Sequence, residues 1–121
     1  MNRCIFLFIF FLQFSAHIGA LPAKYKLYCF YTPDFENLYK DYFLPSLKDD
    51  FDLVVQVFPQ ECPEGSFRTD GWDKTMLNKL RLLQTAVLEN WDGIFFYSDI
   101  DVIFLKPIID ITINHLPEDS V

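Results

Sequence analysis

The chain is short of most things that staple or punctuate a small protein. Among its 121 residues are three cysteines, four glycines and two histidines. No Cys-x-x-Cys and no His pair at ligand spacing occurs, so a zinc site is disfavoured. Cys4 falls in an apolar N-terminal run, which leaves Cys29 and Cys62. Two cysteines do not make a disulfide scaffold. They either form one bridge or, with Cys29 in an apolar strand, stay as buried thiols. There is no Asn-x-Ser/Thr acceptor, so the sequence carries no glycosylation signal for a compartment. Cations are also scarce: ten Lys and Arg face 17 Asp and Glu, for a net charge of −7. Without a sheath of cations, nucleic acid is not an expected partner. An acidic chain that met an anionic ligand would need a cation to help it, which hints at a metal. Internal repeats and low-complexity linkers are absent, and the length supports at most one domain.

What is present is apolar. The composition is 51% hydrophobic and 18% aromatic, enough to build a core. Part of that count lies in the first twenty residues. Arg3 precedes the run Cys4–Phe14, and small residues follow at Ser15, Ala16, Gly19 and Ala20. A basic start, a short apolar run and a small-residue end make a signal peptide. A spanning helix needs about 20 apolar residues. This run is shorter, and Gln13, Ser15 and His17 interrupt its end. Residues 1–20 therefore read as a signal peptide cleaved after Ala20. An uncleaved short membrane anchor is the alternative, because Ile18 suits the cleavage site poorly. Cleavage would remove Arg3 and no acid, moving the charge from −7 to −8. The expected location is the secretory pathway (endoplasmic reticulum or Golgi, lumen or membrane) or the exterior.

Residues 21–121 alternate strands and helices. Lys26–Tyr31 is a compact apolar run stopped by Thr32-Pro33-Asp34, which predicts a buried strand and a turn. Phe35 to Leu47 has near-helical apolar spacing, with Pro45 expected to limit that helix or end it near Phe43. Asp52–Phe58 is a β-branched strand stopped by Pro59. A loop follows to Gly71. Asp73–Asn90 is the clearest helix: Met76, Leu80, Leu83 and Val87 fall on one stripe, with Asn78, Arg81, Thr85 and Glu89 opposite. Lys79 falls at the edge of that stripe. It either exposes its amine along an apolar stem or turns toward a phosphate or Asp99. Trp72 and Trp91 bracket the helix as expected packing anchors. Asp92-Gly93 turns the chain into a third strand, Ile94–Ser98. Apolar strands alternating with helices imply a mostly parallel sheet with flanking helices, an α/β architecture. Ligands bind such sheets at the C-terminal ends of the strands. Thr32, the loop after Phe58 and the Asp99 region all belong to that edge.

The segment with the most chemistry is Tyr97-Ser98-Asp99-Ile100-Asp101-Val102. Two carboxylates leave a strongly apolar strand, and unpaired charge is costly there. One residue apart on extended backbone, they would share a face. Their mutual repulsion would raise the proton affinity of one of them. Mg²⁺ or Mn²⁺ takes oxygen ligands, commonly one or two carboxylates plus substrate phosphates. The bland reading is a solvated turn or a helix cap.

The stretch from Gly71-Trp72 through Lys79 to Asp99-Ile100-Asp101-Val102 and Lys106-Pro107 resembles the nucleotide-diphospho-sugar transferases of GT-A fold. The resemblance covers roughly residues 25–110. It implies a partial GT-A, Rossmann-like sheet and a metal-dependent glycosyltransferase that moves a sugar from a nucleotide-sugar donor to an unknown glycan, protein or lipid acceptor. Asp99 and Asp101 would be the metal acids, with Asp99 also on the ribose. Lys79 would be the helix cation, and Tyr31 and Thr32 would border the nucleotide. The cofactor would be Mn²⁺ or Mg²⁺. Domains of this kind run to on the order of 200 residues or more. The acceptor half is therefore expected to be missing, so the chain reads as a fragment, a truncated gene product or a degenerate copy, with little or no activity by itself. The competing expectation is a non-catalytic secreted α/β binding or interaction protein. For targeting, the expected outcome is a secreted or membrane-delivered chain lacking residues 1–20. Mass spectrometry of delivered material tests it, and an intact Met1 start would refute cleavage.

Overall fold

The computed structural model describes residues 24–63 and 66–117. The targeting segment read at residues 1–20 lies outside them. No described helix is long and apolar enough to cross a membrane. The order is strand β1 (Lys26–Tyr31), a 3₁₀ turn (Pro33–Phe35), a π-helical segment (Leu38–Phe43) and one helical turn, α1 (Leu44–Ser46). Strand β2 (Asp52–Val57), helix α2 (Trp72–Glu89), strand β3 (Phe95–Tyr97) and the short helix α3 (Ile109–Ile113) follow.

The three strands form one parallel sheet in the order β2-β1-β3. This is the expected α/β class. β1 is central, pairing Lys26 with Asp52 on one side and with Phe95 on the other. Side chains alternate across a strand, and that alternation sorts the core into two layers. Leu27, Cys29, Leu53, Val55 and Phe96 face a layer built on Tyr39, Phe43 and Phe51. Tyr28, Phe30, Val54, Phe95 and Tyr97 face α2 through Leu82 and Ala86. Phe43 and Tyr28 are fully buried. The Tyr28 hydroxyl donates to Glu89 at 2.7 Å and accepts from Asn90 at 2.9 Å, so its buried oxygen is satisfied at the end of α2.

Three local expectations need correction. Pro45 does not end the helix at Phe43 but limits it, since helical structure stops at Ser46. It sits at the start of α1, where its missing N–H costs nothing. The preceding turns widen, and Leu44 N–H reaches back five residues to Tyr39 O. Second, the buried stripe of α2 is not Met76, Leu80, Leu83 and Val87. It is Thr75, Leu82 and Ala86, and Leu80 is 62% exposed. At about 100° per residue, the inward face is turned by roughly a quarter of a circle from the apolar one. Third, Trp91 is not an anchor, being 80% exposed. Trp72 does pack, edge-on to Phe67 at 4.9 Å. Both described cysteines are free and buried, which leaves the buried-thiol alternative. Burial pushes the Cys29 thiol up to about 11, so it is a poor nucleophile.

Gly71 fixes the entry to α2. It has φ +88°, and a Cβ there would lie 2.0 Å from the Glu61 carbonyl oxygen. Both backbone conformation and space therefore demand glycine. Gly71→Ala should cost well over about 1 kcal/mol. Phe43→Ala, which opens a cavity in the other layer, should cost about 3–5 kcal/mol. Urea unfolding of the two variants checks both. A Gly71→Ala protein as stable as the parent would show that the loop at Glu61 is not pressed against the helix.

Candidate functional site

Parallel pairing brings the C-terminal ends of β1 and β3 together. Tyr28 pairs with Tyr97, and Ser98 N–H donates to Tyr28 O at 3.1 Å. The chain then leaves each strand along one edge. Between them opens a cleft of about 240 Å³. Tyr31 and Thr32 line it from the end of β1, and Asp99, Ile100 and Asp101 from the end of β3. Trp72, Thr75 and Met76 reach it from the first turns of α2. Gln60 and Cys62 supply the wall after β2. The edge expected to hold the site therefore carries the cleft.

The two acids differ in their surroundings. Lys79 Nζ donates to both oxygens of Asp99, at 2.8 and 3.0 Å. The Tyr97 hydroxyl donates to Asp99 Oδ1 at 2.6 Å. The Lys79 ammonium also stands 5.3 Å from the centre of the Tyr97 ring, in cation–π range. Asp99, Lys79 and Tyr97 thus form a closed cluster, with Asp99 at the cleft wall and Lys79 behind it. Asp101 is exposed, lines the same cleft and makes no side-chain hydrogen bond or ion pair among the described residues. Ile100 and Asp101 form a turn, so the acids share the cleft by a bend of the chain and not by extended alternation.

The expected repulsion between the acids is not what sets Asp99. Partial burial alone would raise its carboxyl. The hydrogen bonds from Lys79 and Tyr97 and the Lys79 charge outweigh that and hold it below the ordinary 3.8. Tyr97 moves the other way, pushed up first by burial and then by its bond to the Asp99 carboxylate. Its hydroxyl therefore remains a donor throughout the neutral range.

Of the residues expected at the site, Tyr31, Thr32, Asp99 and Asp101 meet at the cleft. Tyr31 is also stacked on Tyr39, with ring centres 4.7 Å apart, which ties it to the core. Lys79 takes the inward option by pairing with Asp99 and does not line the cleft. Sequence reasoning missed Tyr97 and Gln60. Tyr97 was legible in principle, because it lies two residues before Asp99 at the end of a strand. Gln60 accepts from Asp34 N–H at 3.0 Å and donates to the Cys62 carbonyl, clipping the wall together. Nothing in its sequence setting signals that. Among the described residues no three His, Cys, Asp or Glu side chains form a group that could hold a metal.

The Lys79–Asp99 pair also predicts a pH dependence. A carboxyl whose folded pKa is depressed stabilises the fold above its unfolded value and loses that contribution as pH falls through the folded one. Lys79→Met should therefore cost stability at neutral pH. The difference from the parent should close as pH falls below 3.8, the ordinary Asp value. Asp99 is about half exposed, so the difference is expected to stay below about 1 kcal/mol. Urea unfolding at a series of pH values measures it, and a difference that is flat down to pH 2 would contradict the pairing. No protein-family model, no curated protein and no solved structure matches this chain, so the reading of the cleft rests on its own residues.

Proposed function

We propose that the cleft binds the nucleotide-diphosphate part of a sugar donor with a divalent cation, as the donor-binding part of a metal-dependent glycosyltransferase of GT-A type. The observation that carries this reading is the meeting of Asp99 and Asp101 with Thr32 and the first turns of α2 in one cleft at the C-terminal edge of a parallel sheet. That edge is where open α/β sheets take ligands. The N-terminus of an 18-residue helix favours negative charge nearby.

The donor set fits a hard cation only in company. Asp101 offers free carboxylate oxygens, and Asp99 already accepts three hydrogen bonds. Mg²⁺ and Mn²⁺ typically bind through one or two carboxylates plus substrate phosphates and water. Phosphate oxygens would complete a shell that these two acids leave open. When bound, the cation would neutralise charge on the diphosphate and make it a better leaving group. The chain's own parts have separate tasks. Asp101 supplies the carboxylate, and Lys79 and Tyr97 hold Asp99 in a fixed rotamer. Trp72 and Tyr31 offer aromatic surface at the rim.

The engagement of Asp99 favours a second reading, in which Asp99 only ties α2 to β3 and the chain is a non-catalytic secreted α/β binding protein. Calorimetric titration with a panel of nucleoside diphosphates, with Mn²⁺ and with a chelator, separates the two. On the proposed function, binding requires the metal, and metal and nucleotide improve each other's affinity by the same factor. Asp101→Asn, which removes one charge from an exposed site, should weaken binding at least about tenfold and leave the fold intact. Equal binding in chelator, unchanged by Asp101→Asn, would leave only the structural reading.

A further inference from the structure

A second groove runs along the other flank of α2, where the helix lies over the end of β2. Its volume is about 220 Å³. Phe58 and Leu82 form its apolar floor, and Gln56, Asn78, Arg81 and Thr85 surround it. It shares no lining residue with the first cleft. Among the described residues none of these four polar side chains has a hydrogen-bond or ion-pair partner. Of the nine described cations, Arg81 shares this lack of a carboxylate partner with Lys48, Arg68 and Lys106. Lys24, Lys40, Lys74 and Lys79 all lie within 3.5 Å of a carboxylate oxygen.

The charge pattern sharpens the point. The protein is acidic, at −7 overall, yet the groove contains a guanidinium and no carboxylate. Along α2 no Asp or Glu occurs between Asp73 and Glu89, so Arg81 has no helical neighbour to neutralise it. Asn78, Arg81 and Thr85 recur at helical spacing, which sets them on one face, and Gln56 meets them from the strand. All four can donate hydrogen bonds, and a guanidinium presents a planar fork suited to two oxygens at once.

We propose that this groove binds a compact oxyanion, a carboxylate or phosphate group, with Arg81 as its charge partner and Gln56, Asn78 and Thr85 as further donors. The proposal does not depend on the metal or nucleotide reading of the first cleft. The test uses the full chain, ¹⁵N-labelled, titrated with sodium acetate and with sodium phosphate against sodium chloride at matched ionic strength. Saturable shifts are expected at the amides of Gln56, Asn78, Arg81 and Thr85 and at Arg81 Nε with at least one oxyanion and not with chloride. The stronger of the two identifies the head group. Arg81→Gln, on an exposed position, should weaken the binding at least about tenfold. Thr85→Val should weaken it less, and EDTA should change nothing. Shifts that only follow ionic strength, or binding that survives Arg81→Gln, would overturn the proposal.

Discussion

The inward face of α2 is pinned to the sheet by an ion pair. Lys79 sits in the inward stripe between Thr75 and Leu82, a place that a hydrophobic pattern reserves for an apolar residue. It is admitted there because both its hydrogen bonds end on Asp99, at the end of β3. A second polar tie, from Tyr28 to Glu89 and Asn90, fixes the far end of the helix. Between these two anchors the helix has little freedom to roll. Leu82 and Ala86 drop onto the sheet, and the more hydrophobic side of the helix is left outside. Two polar contacts, the first worth less than about 1 kcal/mol at this exposure, thus mark the face of the helix that is buried.

The first-cleft acids show how neighbours in sequence can have different chemistry. Asp99 is held below its ordinary value by a lysine and a tyrosine, with partial burial working against them. Asp101, two residues later and past a bend, faces the cleft with no protein partner among the described residues. A carboxylate that is already satisfied is a poor first choice for a new ligand, whereas an exposed free one lacks only company. Of the two, Asp101 is the carboxylate left open to a new partner.

Much of the frame was readable in the residues. The strands at Lys26–Tyr31 and Asp52–Val57 declare themselves by apolar runs that end at Pro33 and Pro59, and parallel pairing follows from the helical segments between successive strands. The cleft at the strand ends follows from the same topology. The rotation of α2 was not readable, because periodicity counts hydrophobicity and cannot see a partner twenty residues away in sequence. The π-helical turns before Pro45 were hidden for a related reason. Apolar spacing over one or two turns does not distinguish a wide helix from a regular one. Asp99 and Asp101 announced themselves, but Lys79 could be assigned its partner only in three dimensions.

The exposed side of α2 has a consequence for how the protein behaves in solution. Leu77, Leu80, Val87 and Leu88 stand open along one helix, and Trp91 follows them. Contiguous apolar surface of this kind is removed from water by whatever it first meets. For such a molecule, unfolding and association draw on the same surface. Were copies to pair through this face, the melting temperature would rise with the concentration at which it is measured, and a single thermal midpoint would describe the sample and not the chain.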